Sequence, residues 1–403
     1  MEMREVKKQQ WPQYLVEDLF EVQLGKMLNE EARNNQDVLP YLANFNVQWG
    51  RFELSRLNKM YFSEKEKKKF FLRKGDLLVC EGGEVGRCAI WKEEAEPCFY
   101  QKALHRLRPL GNIISTEFML YYLQFISSGK MLSRLILESS IAHLTRETLL
   151  KLPVVVPPIA AQKRIIDTLS LWDTAIEKTE RLITAKDSFK TGLMQQLLTE
   201  KRHFKEFKNT WKVFHLGELF SERNERGNDQ LALLSITREE GVIFRDELDR
   251  RDTSSEDKST YLRICPGDIG YNTMRMWQGV SALSQLEGIV SPAYTICIPN
   301  ERVQSKFMAY LFKLPQVIHL FYRYSQGLTS DTWNLKFHHF AEIKVRIPSF
   351  EEQAAIAAVL ETTDVELKIL RQQKSALERQ KRGLMQKLLT GEWRVKVADT
   401  EAA

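Results

Sequence analysis

The segment from Pro157 to Thr199 recurs as Pro348 to Thr390, at a constant offset of 191 and without a gap. Pro157, Gln162, Ile165, Leu169, Asp173, Ala185 and Lys190 return as Pro348, Gln353, Ile356, Leu360, Asp364, Ala376 and Lys381. Two blocks then match outright. Gly192-Leu193-Met194-Gln195 returns as Gly383-Leu384-Met385-Gln386, and Leu197-Leu198-Thr199 as Leu388-Leu389-Thr390. An internal repeat this dense means that one structural unit is built twice, and it restricts the fold before any single element is assigned.

Both copies are helical in pattern. Ile165, Leu169, Trp172, Ile176, Thr179, Ile183, Lys186, Lys190, Leu193 and Leu197 step by four and three, the spacing of a heptad seam. The second copy repeats the steps at Ile356, Leu360, Thr363, Leu367, Leu370, Lys374, Leu377, Lys381, Leu384 and Leu388. Prolines 157, 158 and 348 stop the strand before each copy and permit a helix start. A helix of about 40 residues is ~60 Å long and is not stable alone with only a seam to bury, so it needs a partner along its length. The two similar seams suit each other as a coiled coil, against the blander reading in which each helix packs on its own domain. Apolar residues off the first seam (Ile166, Leu171, Leu182, Met194, Leu198) leave a second apolar face for another protein or for the adjoining globular region.

The stretch before each helix has a different texture. Each opens on a Trp and an apolar run, Trp11 to Phe20 and Trp211 to Phe220. Each carries a Gly-Asp turn into a strand, at Gly75-Asp76 and Gly267-Asp268. Short strand-like runs such as Leu231 to Ile236 and Tyr294 to Ile298 follow. Beyond this skeleton the two regions diverge, and aromatic and basic residues interleave differently in each. The layout predicts four blocks: 1–152 and 204–343 as globular domains, 153–203 and 344–403 as the repeated helical segments.

The bulk numbers fit that picture. The chain has 403 residues, enough for two or three domains, and Lys plus Arg (59) exceed Asp plus Glu (53) by six. So mild an excess leaves nucleic acid open as a partner without demanding it. The charged beginning has no apolar core of a secretory signal, and the longest apolar run, Val154 to Ala161, is short and broken by two prolines; a cytoplasmic protein is expected. Five cysteines at 80, 88, 98, 265 and 297 show no CxxC spacing, so buried free thiols are expected; Cys80, Cys88, Cys98 and His105 form the alternative zinc set.

A catalytic constellation is missing from the sequence. There is no P-loop, strand-borne GxGxxG, GxSxG elbow or HExxH. Gly82-Gly83-Glu84-Val85-Gly86 lacks the Lys of a phosphate cradle and reads as a turn; His338-His339 is adjacent rather than at helical metal spacing and reads as a strand-end pair. A non-enzyme with no metal site is expected.

Several pieces together carry a family resemblance. They are Pro153-Val154-Val155-Val156-Pro157-Pro158 leading to Gln162, Ile347-Pro348 leading to Glu352-Gln353, and the two Gly-Leu-Met-Gln blocks, the second running on to Thr390-Gly391-Glu392-Trp393-Arg394. Pro40-Tyr41-Leu42-Ala43-Asn44 with Gly50, the Gly-Asp turns, His143-Leu144-Thr145 and Val290-Ser291-Pro292-Ala293-Tyr294 fit as well. Over nearly its whole length the chain resembles the specificity (S) subunit of a type I restriction–modification system, the HsdS family. One departure is Ala160-Ala161-Gln162, where that family usually has an acidic residue before the Gln, as Glu352 provides in the second copy.

The resemblance implies two α/β target-recognition domains separated by two long antiparallel helices, in a pseudo-twofold repeat. Each domain would read one half of a split, asymmetric DNA target, and the helices would fix the gap. Two modification (methyltransferase) subunits would dock and methylate flipped adenines; restriction/translocase subunits would join them to cleave. No cofactor belongs to this chain on that view, since S-adenosylmethionine, ATP and Mg serve the partners. The rival readings are a stand-alone two-domain DNA-binding regulator and a fused methyltransferase.

For DNA contact the first domain offers Arg51, Arg87, Gln101, Lys102, His143 and Arg146, and the second Asn272, Arg275, Trp277, Arg323, Gln326 and Thr329. These are basic, amide, hydroxyl or aromatic groups near expected turns, able to meet phosphates and base edges. For helix pairing and partner docking the candidates are Ile165, Leu169, Trp172, Ile176, Leu193, Leu197, Ile356, Leu360, Leu367, Leu384 and Leu388.

Overall fold

A computed structural model of the chain describes residues 11–34, 36–95, 98–129, 143–207, 209–228, 230–247, 257–329 and 331–395. Two compact units emerge, Met1–Glu180 with Gln373–Ala403, and Arg181–Gln372. The repeated segments form two long helices, and both unit boundaries fall inside them. No described helix is long and apolar enough to cross a membrane.

The first unit is organised by a four-stranded antiparallel sheet of β1 (Phe20–Leu24), β2 (Leu77–Cys80), β3 (Cys88–Ile90) and β4 (Leu104–Pro109), ordered β1-β4-β2-β3. Alternation of side chains decides what covers it. One face, with Leu77, Val79 and Leu107, packs on helix α1 (Thr116–Ser128) and on the first part of α2 (Ile159–Leu197). The other, with Leu78, Cys80 and Leu104, is covered by residues around a second sheet of Val38–Leu42, Asn58–Tyr61 and Phe99–Tyr100.

In the second unit the same sheet order returns as β5 (Phe220–Glu222), β6 (Ile269–Asn272), β7 (Ser281–Leu283) and β8 (Tyr294–Pro299), ordered β5-β8-β6-β7. Helices α3 (Ser305–Leu311) and α4 (Pro315–Tyr324) take the core face with the first turns of α5 (Phe350–Leu389). The opposite face is covered by two small two-stranded sheets, Leu234–Ile236 with Val242–Phe244 and Leu262–Ile264 with Gly288–Val290. Gly270 lets that layer lie close, since a side chain there would push three isoleucine ends aside. A Cβ on it would lie 2.3 Å from Ile236 Cδ1 and 3.2 Å from those of Ile264 and Ile296.

A two-stranded antiparallel ribbon leads into each long helix: Gln13–Leu15 on Pro153–Val155, and Lys212–His215 on Lys344–Ile347. The ribbons end at the prolines and the helices begin at Ile159 and Phe350. Ala161 does not prevent the first start, because Gln162 is the anchor. Its Nε2 donates to the carbonyls of Pro157 (2.8 Å) and Ile113 (2.7 Å), and its Oε1 accepts from the Ser115 amide (3.0 Å). Gln353 repeats the set on Pro348, Arg302 and Gln304. Both amides are buried, and Ser115 and Gln304 are the residues that cap α1 and α3.

The helices end alike as well. Gly391 (φ +75°) and its counterpart Glu200 (φ +61°) both adopt the left-handed conformation. Glu200 lacks glycine's freedom there, and its carboxylate accepts the Trp211 amide (3.1 Å) that opens the second unit's ribbon. The five cysteines are free, and burial pushes the thiols of Cys80 and Cys98 up to about 11 and about 12, so both stay protonated. His338 and His339 sit on a short helix, Phe337–Ala341, not at a strand end. A strand assignment there misses that Phe337 and Phe340 share one face at helical spacing, with Phe340 fully buried.

Candidate DNA-recognition surfaces and helix anchors

Every heptad seam position is buried or half-buried. At the ends of the helices, however, the seam is also globular core. Ile165 and Leu169 share a cluster with Leu388, and Leu384 packs against it, in the first unit. Ile356, Leu360 and Leu197 share one in the second, with Leu193 against it. Fully burying side chains of this size contributes roughly 1.5–3 kcal/mol each. Leu367 is buried near the middle of α5, while Trp172 and Ile176 are half-buried on α2.

The seam lysines find acids on the opposite helix. Lys381 pairs with Asp173 (2.5 Å) and Lys374 with Glu180 in the first unit; Lys190 pairs with Asp364 (2.5 Å) and Lys186 with Glu366 (2.5 Å) in the second. As the number on one helix falls, its partner's rises, so the helices run antiparallel within each unit. Charged residues at seam positions weaken a coiled coil but specify its register.

Two of these pairs extend into a repeated cluster. Tyr121 on α1 donates to Asp173 (2.7 Å), and Lys381 Nζ stands 5.2 Å from the Tyr121 ring centre. Tyr310 on α3 donates to Asp364 (2.6 Å), and Lys190 Nζ stands 5.5 Å from its ring. Burial, and then the neighbouring carboxylate, raise both phenols above their ordinary range, so they remain donors. Each reading domain is thereby tied to both helices at one carboxylate.

In the first unit most of the DNA-contact candidates gather where loops meet beyond the sheet. Asn44 Nδ2 donates to Gly82 O (2.7 Å) and Leu144 N to Glu81 O (2.7 Å). Exposed His143 lies over Gly82, with its Nδ1 2.6 Å from where a Cβ would stand. The Gly82–Gly86 run is the turn between β2 and β3. Arg51 is exposed beside it on a short strand paired with Gln48, and Lys102 is exposed at the Gln101–Lys102 turn before β4. Gln101 is half-buried, its amide bound to Leu42 O. Arg146 is exposed, with its Nε on Val22 O at 3.1 Å. Arg87 differs from these. Its guanidinium is held inward by Asn44 O (2.9 Å) and Glu84 (3.3 Å), which suits fixing the loop more than reaching DNA.

In the second unit Asn272, Arg275 and Trp277 line one cleft of about 390 Å³ together with Met274, Gln278, Ala293 and Asp331. Asn272 Oδ1 accepts the Met274 amide (3.0 Å) and Trp277 Nε1 donates to Met274 O (3.0 Å), which fixes the turn and leaves Arg275 exposed. Exposed Arg323 ends α4. Its neighbour Tyr322 meets Trp333 edge-on (4.9 Å), and Trp333 meets Trp277 (5.2 Å). Gln326 pairs with Asn334 by two backbone hydrogen bonds of 2.8 Å, and Thr329 bonds Thr332. Arg323, Gln326 and Thr329 therefore belong to the stretch that leans on Trp277. Met274, Gln278, Asp331 and Trp333 escape the sequence reading, although a Trp among the turn-forming residues after Tyr324 is a usable signal. Among the described residues no three His, Cys, Asp or Glu are grouped to hold a metal.

A sheet of common order built twice, each copy anchored on a shared pair of helices, defines the class, and comparison with known proteins places it. The crystal structure of a type I restriction–modification S subunit from M. genitalium has this fold, with a TM-score of 0.54 at 17% identity over 96% of this chain and 98% of that one. The family model for the type I restriction modification DNA specificity domain matches residues 8–185 and 248–379, and the chain belongs to that family of specificity subunits. It is 25% identical to the putative MjaX specificity subunit of Methanocaldococcus jannaschii, over 91% of this chain and 90% of that protein. It is 24% identical to the MjaVIII specificity subunit of the same organism, over 79% of each.

Proposed function

We propose that each unit reads one half of a split, asymmetric DNA target while the long helices set the gap between halves and dock two methyltransferase subunits. The chain itself is non-catalytic on this reading. Adenine methylation with S-adenosylmethionine, and ATP- and Mg-dependent cleavage, belong to the modification and restriction subunits. One observation carries the proposal. The anchors recur residue for residue (Gln162 and Gln353, Asp173 and Asp364, Lys381 and Lys190), whereas the loops that carry the DNA-contact candidates show no such residue-for-residue match. Selection for two unlike half-sites on one scaffold leaves that pattern.

Arg51, Lys102, His143 and Arg146 in the first unit, and Arg275, Arg323, Gln326 and Thr329 in the second, are the groups free to reach phosphates and base edges. Gln101 and Asn272 sit at the turns that present them, with Trp277 as an aromatic support. Mapping methylated adenines in cells that carry the system would give both half-sites and the gap. Leu193→Asp with Leu384→Asp then tests the scaffold. Loss of assembly or a relaxed gap is expected, and unchanged assembly with an unchanged gap would count against the proposal.

A further inference from the structure

We infer that Leu328 determines specificity by apolar contact with the 5-methyl group of a thymine in the half-site read by the second unit, an inference that rests on the half-site reading above. Leu328 is fully exposed (101%), whereas the next most exposed large apolar side chain among the described residues, Leu171, is at 70%. The described residues on either side of Leu328 are hydrogen-bonded to one another. Gln326 and Asn334 pair at the base, the Thr332 amide donates to Thr329 O (2.9 Å), and the Thr332 hydroxyl donates to the same carbonyl (2.9 Å). Trp333 then wedges between Trp277 and Tyr322.

Gly327 holds φ at +147°, and a Cβ there would lie 2.7 Å from the carbonyl carbon and oxygen of Thr332, so only glycine fits. A single exposed leucine is ordinary on a protein surface, and what singles out Leu328 is full exposure on hydrogen-bonded backbone within the surface assigned above to DNA. What surrounds it selects the occupant. Gln326 and Thr329 on either side are exposed hydrogen-bonding residues, the cleft that Asp331 helps to line presents Asn272, Arg275 and Gln278, and exposed Arg323 follows Tyr322, which packs on Trp333. An apolar protein surface would be matched by a continuous apolar patch. A single apolar point bordered by donors, acceptors and guanidiniums matches a major-groove edge, where only thymine offers a methyl group among hydrogen-bonding atoms.

The test uses the full chain purified with its methyltransferase subunits and measures affinity for target DNA in which each thymine in turn is replaced by deoxyuridine. The wild type is expected to lose about fourfold at one thymine of the second unit's half-site, the worth of one buried methyl group. Leu328→Ala should be weaker on the parent DNA by a similar factor and indifferent to that one replacement, with its responses elsewhere unchanged. A variant that keeps the wild-type pattern, or weakens without losing that response, overturns the inference. So does a half-site at which the wild type senses no thymine methyl. Failure of the half-site reading itself would show separately, as Arg275→Ala weakening both half-sites alike.

Discussion

In the first unit the carboxylate of Asp76 closes its turn on the Arg73 amide (2.8 Å) and is gripped at both oxygens by Arg108, on β4. In the second, Asp268 closes its turn on the Cys265 amide (2.8 Å) and is gripped at both oxygens by Arg223, just past β5. The same buried carboxylate, at the same Gly-Asp turn, is thus neutralised from neighbouring strands of one sheet order. The centres of the two sheets differ further. In register with the strand after that turn, His105 and Arg106 of β4 stand where Thr295 and Ile296 stand in β8. Arg106 reaches Glu21 and Lys69 O, whereas Ile296 simply joins an apolar cluster. By contrast the Gln and Tyr–Asp–Lys anchors do not vary. A constraint imposed by a shared helix pair preserves identities, and one internal to a domain preserves only the charge balance.

The largest expected effect comes from breaking the carboxylate grip. Asp76→Asn leaves the largely buried Arg108 guanidinium without its counter-charge, and a loss of about 3–5 kcal/mol is expected in the first unit, whereas Asp268→Asn leaves Arg223 the more exposed Glu225 and costs the second unit less. Calorimetry should show one transition moved in each variant and the other held, and equal movement of both would contradict two separable units. Arg275→Ala comes next. It should cost ~1–3 kcal/mol at one half-site, read as altered methylation at that half alone, with Arg51→Ala as the mirror experiment on the other.

Tyr121→Phe and Tyr310→Phe should each cost ~1 kcal/mol, and by similar amounts, because each removes one hydrogen bond to an equivalent carboxylate. Unequal losses in denaturant titrations would mean that the anchors are alike in shape but not in energy. The smallest effect is a pH asymmetry. Burial lowers the pKa of His105, so the folded first unit holds it neutral while the unfolded chain takes up a proton in the ordinary histidine range. The unfolded state then binds more protons, and stability present above that range is lost as pH falls through it. His105→Gln should reduce the acid sensitivity of the first unit's melting and leave the second unit's unchanged.

Much of this was legible in the sequence because repetition and periodicity survive without coordinates. The offset of 191 locates both helices, the heptad steps name residues that do become buried, and the two Gly-Asp turns mark the strands that follow them. What escaped were contacts between elements distant in the chain. Periodicity assigns Ile165, Leu169, Leu384 and Leu388 to a helix seam, but cannot reveal that Val79 and Leu107 of a sheet complete the same cluster. Arg108 and Arg223 carry no local mark of which acid they hold. The Trp277–Trp333–Tyr322 contact ties Trp277 to residues dozens of positions further along the chain. Arg87, basic and beside a turn, looks from its neighbours like any other phosphate ligand, and only its bond to Asn44 shows otherwise.

The division of the chain within its long helices bears on how it is made. The second unit is contiguous, Arg181–Gln372, but the first needs Met385, Leu388 and Leu389 to complete a core begun at Val16. On the ribosome the residues up to Glu180 must therefore wait for about 210 more to be added, as far as Leu389, roughly 10–40 s at ordinary elongation rates. The unit encoded first is finished last. Until then the cluster that holds Phe118, Ile165 and Leu169 lacks Met385, Leu388 and Leu389, so a premature stop late in α5 leaves the first unit unfinished and the second nearly complete.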